Sequence, residues 1–446
     1  MLRLAIPIVL ADLGWMSMGI VDTMMVGRIV PNTATAIGAV SIGSIAFGTV
    51  AWVGGGMMLG LDTMISQDFG AGRRQDCHRS LLAGLHLMVP LSLALMSVVW
   101  LCVPVFRLFG YRPALLAELS RFTMALNWSL PPLLVYFAVR RYLQAVNRPR
   151  PVMFALVSAN IVNFVFNWIF IYGHFGAPAM GTAGSAWSTV LARVYMAGVL
   201  VAASLYKDLP WKVSLRPDLP RIGRLIRLGY PAAGQILFEV GVFAMATALI
   251  GKVSDVAVAA HQIALNTVST TFMVPLGISS AAAVRVGQAL GRGDPRGAAR
   301  SGWTAIALGA AFMACCGVAL IAIPRAIGRV YTPDAAVVEA AVSLMAAGAA
   351  FQLFDGIQGC ATGALRGAGD TRTPMLCHLA GYWAVGLPVG YTLCFQYGWG
   401  AVGMWIGLCV ALILIGSVLL WVWSRKVREM CRAADRAGHG VAVLGD

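Results

Sequence analysis

The chain has 446 residues, 59% of them hydrophobic and 11% charged, with a mean hydropathy of +0.78. A water-soluble domain carries about 25% charged residues, so this chain cannot hide its apolar surface inside itself and its solvent is lipid. The net charge of +15 is spread over many loops, which excludes a nucleic-acid partner, and nine cysteines without a CxxC pair and six scattered histidines provide neither a disulfide framework nor a structural metal site.

Apolar windows of about 20 residues predict helical spans at 4–28, 36–61, 80–103, 119–139, 151–172 and 183–206. The first shows no cleavage-site pattern and reads as a retained span. A polar stretch, 207–227, with Pro210, Pro217 and Pro220, reads as a cytoplasmic linker. Six further spans follow at 228–251, 258–284, 301–323, 335–362, 374–396 and 399–423, and then a tail, 424–446. Only helices satisfy their own backbone over such lengths in lipid. The predicted domains are therefore an N-lobe of six helices, 1–206, and a C-lobe of six, 228–423, on either side of the linker.

The two halves repeat one another. Arg3, Leu4 and Pro7 return as Arg227, Leu228 and Pro231; Gln67, Gly70, Gly72, Arg79 and Ser80 return as Gln288, Gly291, Gly293, Arg300 and Ser301. Repeated halves in an apolar chain are the signature of secondary transporters, where two bundles move about a shared site. Lys and Arg are asymmetric: 25 fall at the N-terminus, in loops 2–3, 4–5, 8–9 and 10–11, in the linker and in the tail, against 7 on the other side. That bias puts both termini in the cytoplasm and requires an even number of helices. Six per half is also even, so the repeats are parallel.

An ionisable side chain at membrane depth costs about 2.5–3.5 kcal/mol on insertion scales, so each one in a span points to function. Four acids qualify: Asp12 and Asp22 in the first helix, Glu239 in the seventh and Asp355 in the tenth. Glu239 has Gln235 one turn before it, and Asp355 sits in Phe351-Gln352-Leu353-Phe354-Asp355-Gly356, with Gly359 and Gly363 following. Both acids belong to one lobe and are expected to share a cavity. Two carboxylates in a dry site suit a proton carrier, or, with other oxygens nearby, a Na⁺ site. Asp22 is in the other lobe, and its expected partners are Asn160, Asn163 and Asn167, which fall on one face of the fifth helix. The bland alternative is that these asparagines only join helices, at about 0.6 kcal/mol per hydrogen bond. Asp12 lies about 15 Å from Asp22 along the helix and is either a relay or a residue of the cytoplasmic mouth. Arg193, the one basic residue inside a span, is expected to pair with an acid or to reach toward the interface. His261 is expected to face a cavity or the headgroups.

These residues also resemble a known family, the multidrug and toxic compound extrusion (MATE) transporters, and most closely their NorM-type branch. The resemblance covers essentially the whole chain. It is carried by Val21-Asp22-Thr23-Met24-Met25-Val26-Gly27, by Asn163 through Asn167-Trp168-Ile169-Phe170-Ile171-Tyr172-Gly173, and by Leu237-Phe238-Glu239-Val240. Val258-Ala259-Ala260-His261-Gln262-Ile263-Ala264-Leu265-Asn266, Leu365-Arg366-Gly367 and Tyr382-Trp383 through Gly386-Leu387-Pro388-Val389-Gly390-Tyr391 add to it. It implies an all-α membrane fold of twelve helices in two pseudo-symmetric bundles around a central cleft. It implies export of amphipathic organic cations by antiport with Na⁺ or H⁺, without an enzyme activity or a cofactor. Asp22, Glu239 and Asp355 match the family's membrane acids, with Glu239 and Asp355 as the metal-binding pair if the ion is Na⁺. Asn163 and Asn167 match its polar cavity residues, and Gln235, Gln352 and His261 are added as polar lining. Asp12 departs from the pattern. The expected setting is a bacterial inner membrane, with a monomer whose partners are organic cations and the bilayer. The competing reading is a flippase for lipid-linked saccharides, which would need a large cationic cavity where this chain places acids. A channel would show a ring of pore residues, and a membrane enzyme would need a catalytic set that the chain lacks.

Overall fold

Where lipid offers no hydrogen bonds, each segment must bond within itself, and a computed structural model of the chain, describing residues 1–29, 33–108, 110, 112–208 and 216–442, contains only helices and their connections. Part of the predicted linker (209–215) and the last four residues of the predicted tail lie outside the described residues. The helices are α1 (Leu2–Val26), α2 (Thr33–Met58), α3 (Gly60–Gly70), α4 (Arg74–Leu108), α5 (Pro113–Asn127), α6 (Leu130–Ala145), α7 (Arg150–Tyr172) and α8 (Thr182–Asp208). They continue as α9 (Leu219–Ile250), α10 (Asp255–Gly291), α11 (Pro295–Ala322), α12 (Pro324–Tyr331), α13 (Ala335–Gly367), α14 (Arg372–His378), α15 (Leu387–Tyr391) and α16 (Gly400–Ala442). Two π-helical segments, Leu379–Gly386 and Thr392–Gln396, flank α15.

Among the described residues ten spans are long and apolar enough to cross a membrane, α2 and α3 counting together as one, and the bent pair α5–α6 makes an eleventh. The twelfth predicted span, 374–396, is helical but alternates α and π turns. Pro388 explains part of this, because it supplies no N–H and the ladder before it loses an α-type bond. The predicted span 119–139 is two helices meeting at 44°. Pro131 and Pro132 open the second of them, so the backbone there lacks two donors. Elsewhere the caps follow sequence: Ser254 accepts from Ala257 N at 3.1 Å, Asp294 from Gly297 N at 2.7 Å and Asp334 from Ala336 N at 2.9 Å. Arg140 and Arg141, counted in sequence with loop 4–5, lie within α6, where Arg140 is buried. Leaving both out does not reverse the charge asymmetry.

The chain divides into two units. The first comprises Ile6–Ile65 and Arg73–Ala233; the second comprises Gly234–Asp446 together with Met1–Ala5 and Ser66–Gly72. In the second unit α13 is the hub, packed against α10, α11 and α16. A side chain at Gly363 would meet Ser279 O at 2.2 Å, so α10 and α13 touch backbone to backbone there. The repeated Gln-x-x-Gly pairs have the same explanation. A Cβ on Gly70 would meet Gln288 O at 2.1 Å, and one on Gly291 would meet Gln67 O at 2.1 Å. The two copies of the motif lie against each other reciprocally, and each glycine admits the other copy's backbone.

Candidate functional site

In the first unit α1 and α7 are joined along one face. Asn160 Nδ2 donates to Gly14 O at 3.1 Å, and Ser17 Oγ donates to Asn160 Oδ1 at 3.0 Å. Two turns further, Asn167 Nδ2 donates to Asp22 Oδ1 at 2.6 Å and to Asn163 Oδ1 at 3.1 Å. Thr189 of α8 approaches the other carboxylate oxygen at 3.3 Å. Of the three asparagines expected beside Asp22, Asn167 and Asn163 reach its carboxylate, whereas Asn160 is spent on Gly14 O and Ser17 of α1. Asp22, half-buried, opens onto a cavity of about 240 Å³ walled by Trp15, Phe47, Trp52 and Phe137. The wall is aromatic and apolar, with the Asp22 carboxylate and one guanidinium as its charged groups, the make-up of a site for a flat, partly polar organic molecule.

Arg193 lines the same cavity, within electrostatic range of Asp22 but without a direct ion pair to it. It is buried, donates to Ser129 Oγ, and places its guanidinium 4.8 Å from the Phe47 ring centre and 5.8 Å from that of Trp15. Asp12 is also buried, and its Oδ1 accepts from Arg140 Nη2 at 2.5 Å. Arg140 in turn reaches the Tyr136 hydroxyl at 3.4 Å. Asp12 does not line the Asp22 cavity.

In the second unit α9, α13 and α14 bring acids and neutral polar groups together. Gln358, one turn after Asp355 on α13, donates to Asp355 Oδ1 at 3.1 Å and also contacts Glu239 of α9. The two carboxylates lie within electrostatic range of one another. Glu239 Oε2 is 3.7 Å from His378 Nε2. The His378 side chain is fully buried, while that of Glu239 keeps 21% of its surface accessible. His378 Nδ1 is 2.8 Å from Pro374 O. A carbonyl only accepts, so Nδ1 carries a proton and Nε2 is the nitrogen that faces the carboxylate. Tyr382, one turn on in the first π segment, lies 5.6 Å from His378 ring to ring and within electrostatic range of both acids. Its hydroxyl, His378 Nε2 and Gln358 Oε1 are all buried with no hydrogen-bond partner. Three such atoms beside two carboxylates are a cradle suited to a small cation or a proton.

The other polar residues expected here are engaged elsewhere. Gln352 Nε2 donates to Thr271 Oγ1 at 3.1 Å. His261 is fully buried between Trp405 Nε1, which donates to Nδ1 at 3.0 Å, and Thr247 Oγ1, 2.8 Å from Nε2, so both ring nitrogens are occupied. Gln235 stays half-buried on α9, a turn before Glu239. Among the described residues no group of three or more His, Cys, Asp or Glu side chains is arranged to hold a metal ion. Gln358 and His378 were not singled out from sequence, and Tyr382 only as part of a family-like stretch, without a role at the site. Gln358 was legible from its i, i+3 spacing to Asp355; His378 was not, because the acid that it faces is 139 positions away.

Comparison with known proteins identifies the family. The family model described as MatE matches twice, over residues 7–169 and 231–392. A probable multidrug resistance protein NorM of Mesorhizobium japonicum is 37% identical over 439 residues, covering 96% of this chain and 93% of that protein. The corresponding protein of Brucella suis is 34% identical, covering 97% and 94%, and the multidrug resistance protein NorM of Burkholderia vietnamiensis is 34% identical with the same coverage. Among solved structures, the eukaryotic MATE transporter AtDTX14 superposes with a TM-score of 0.86 at 19% identity, over 97% of this chain and 98% of that one. An outward-facing multidrug resistance MATE transporter of the MOP superfamily gives 0.85 at 16% identity, over 97% and 96%.

Proposed function

The chain belongs to the MatE family, and from that premise we propose that it is a secondary active multidrug exporter, taking amphipathic organic cations out of the cell in exchange for H⁺ or Na⁺. The observation that carries the reading is the cluster of Glu239, Asp355, Gln358, His378 and Tyr382 inside membrane spans. Charges there are tolerated when they bind something that crosses the membrane. The cationic drug and the coupling ion compete for these acids and for Asp22, and the two bundles rock so that the sites face each side in turn. Binding of the outside ion displaces the drug, and the ion-loaded, drug-free protein returns inward.

The nitrogen beside Glu239 favours the proton over Na⁺. Hard cations take oxygen ligands, whereas a proton is shared readily between an imidazole nitrogen and a carboxylate. Asp12 is left out of the coupling set, because Arg140 already neutralises it. The bacterial NorM relatives support a bacterial inner membrane location, and the Lys and Arg asymmetry supports both termini in the cytoplasm.

The direct test is Asp355→Asn in reconstituted vesicles. The variant is expected to insert and keep its fold while losing ethidium extrusion. Extrusion at the wild-type rate would remove the carboxylate from the mechanism.

A further inference from the structure

The second unit carries a basic pocket that the transport reading leaves unused. Arg285 of α10, Arg292 in the α10–α11 turn and Arg300 of α11 line a cavity of about 460 Å³, with Ser301 and Thr304 beside them and no acid in its wall. Among the described residues none of the three guanidiniums makes an ion pair or a hydrogen bond, and Arg285 Nε is buried without a partner. Three like charges around one pocket repel one another unless an anion joins them.

The internal repeat shows what the same place looks like when the protein balances it. Arg300 and Ser301 correspond to Arg79 and Ser80 of the first half. There Asp76 accepts from Arg221 at 2.6 Å and lies 3.3 Å from Arg73 and 3.4 Å from Arg79, while Arg221 also donates to Ser80 Oγ at 2.9 Å. At the same offset the counterpart of Asp76 is Gly297, and Arg285 and Arg292 stand where the first half has Met64 and Ala71. The second half has lost the acid and gained two arginines. An acid at position 297 would place its Cβ 2.0 Å from Asp294 Oδ2, so the α11 cap would have to shift to admit it. Asp294 itself is occupied as the α11 cap, and Arg296 is paired with Asp435 at 3.2 Å.

We infer that Arg285, Arg292 and Arg300, with the hydroxyls of Ser301 and Thr304, form a binding site for the phosphate headgroup of an anionic phospholipid. Guanidinium forks match phosphate oxygens in pairs, and the hydroxyls add donors. The position favours a lipid over a soluble phosphate. The pocket lies where two spans end, Thr304 carries it about two and a half turns into α11, and Trp303 next to it is exposed, as indoles are at headgroup depth.

The test uses the full chain in nanodiscs of phosphatidylcholine alone or of phosphatidylcholine and phosphatidylglycerol in equal parts, with Tm as readout. Phosphatidylglycerol is expected to raise the Tm of wild type and of Arg296→Gln, which lies outside the pocket. The rise should disappear in Arg292→Gln/Arg300→Gln, whose two positions are exposed. With Arg285→Gln added, phosphatidylglycerol affinity should fall roughly a hundredfold. Inorganic phosphate added to phosphatidylcholine discs should leave Tm where it was. A full phosphatidylglycerol-dependent rise in the double variant would overturn the site, and an equal rise with inorganic phosphate would overturn the lipid assignment.

Discussion

His378 and Asp12 show how neighbours decide what a buried polar group can do. The Pro374 carbonyl fixes the proton on Nδ1 of His378, which leaves Nε2 facing Glu239. Replacing His378 with Gln is expected to lower proton-driven efflux about tenfold and to flatten its pH dependence, with Tm close to wild type. An unchanged rate and pH profile would contradict a shared proton. Asp12, by contrast, is half of a buried ion pair with Arg140, and removing one member of such a pair costs about 3–5 kcal/mol because the other charge is left without compensation. Asp12→Asn should therefore lower Tm markedly, whereas Asp12→Leu/Arg140→Met should recover most of the loss. A folded, stable Asp12→Asn protein that extrudes drug but no longer couples would restore Asp12 as a relay. At this scale Asp22, Glu239 and Asp355 were legible because a carboxylate in an apolar run stands out. His378 and Gln358 were not, since a neutral polar residue there reads equally well as satisfied core.

Among the elements, the spans followed from hydropathy, but their breaks did not follow from it. The α5–α6 bend sits at Pro131 and Pro132, and the π turns sit around Pro388. Prolines in apolar runs are tolerated in membranes, so the sequence alone predicted continuous helices there. The first π segment matters for the site because it carries Tyr382 beside His378. Close helix contacts were legible only as glycine spacing. Gly70 illustrates their cost: Gly70→Ala pushes a methyl into Gln288 O and is expected to destabilise by about 1–3 kcal/mol. Gly198→Ala, on α8 with nothing within 4 Å, should leave Tm level or higher. Equal Tm changes in a thermal melt of the two would argue against the reciprocal α3–α10 contact.

For the molecule as a whole, the repeat was the most legible feature, and the MatE model matching two successive stretches reproduces it. Duplication gives two related bundles, and divergence gives them different work. One holds Asp22 in an aromatic cavity with Arg193; the other holds the Glu239–Asp355 cluster and a pocket of unbalanced arginines. The claim on which the rest depends is that these acids couple drug export to an ion gradient. The measurement that tests it most directly is ethidium efflux from proteoliposomes under a pH gradient alone and under a Na⁺ gradient alone, for wild type and for Glu239→Gln. The account predicts efflux driven by the pH gradient in wild type and none in the variant. Efflux driven only by Na⁺ would contradict the proton assignment, and gradient-driven efflux that survives Glu239→Gln would contradict the coupling site itself.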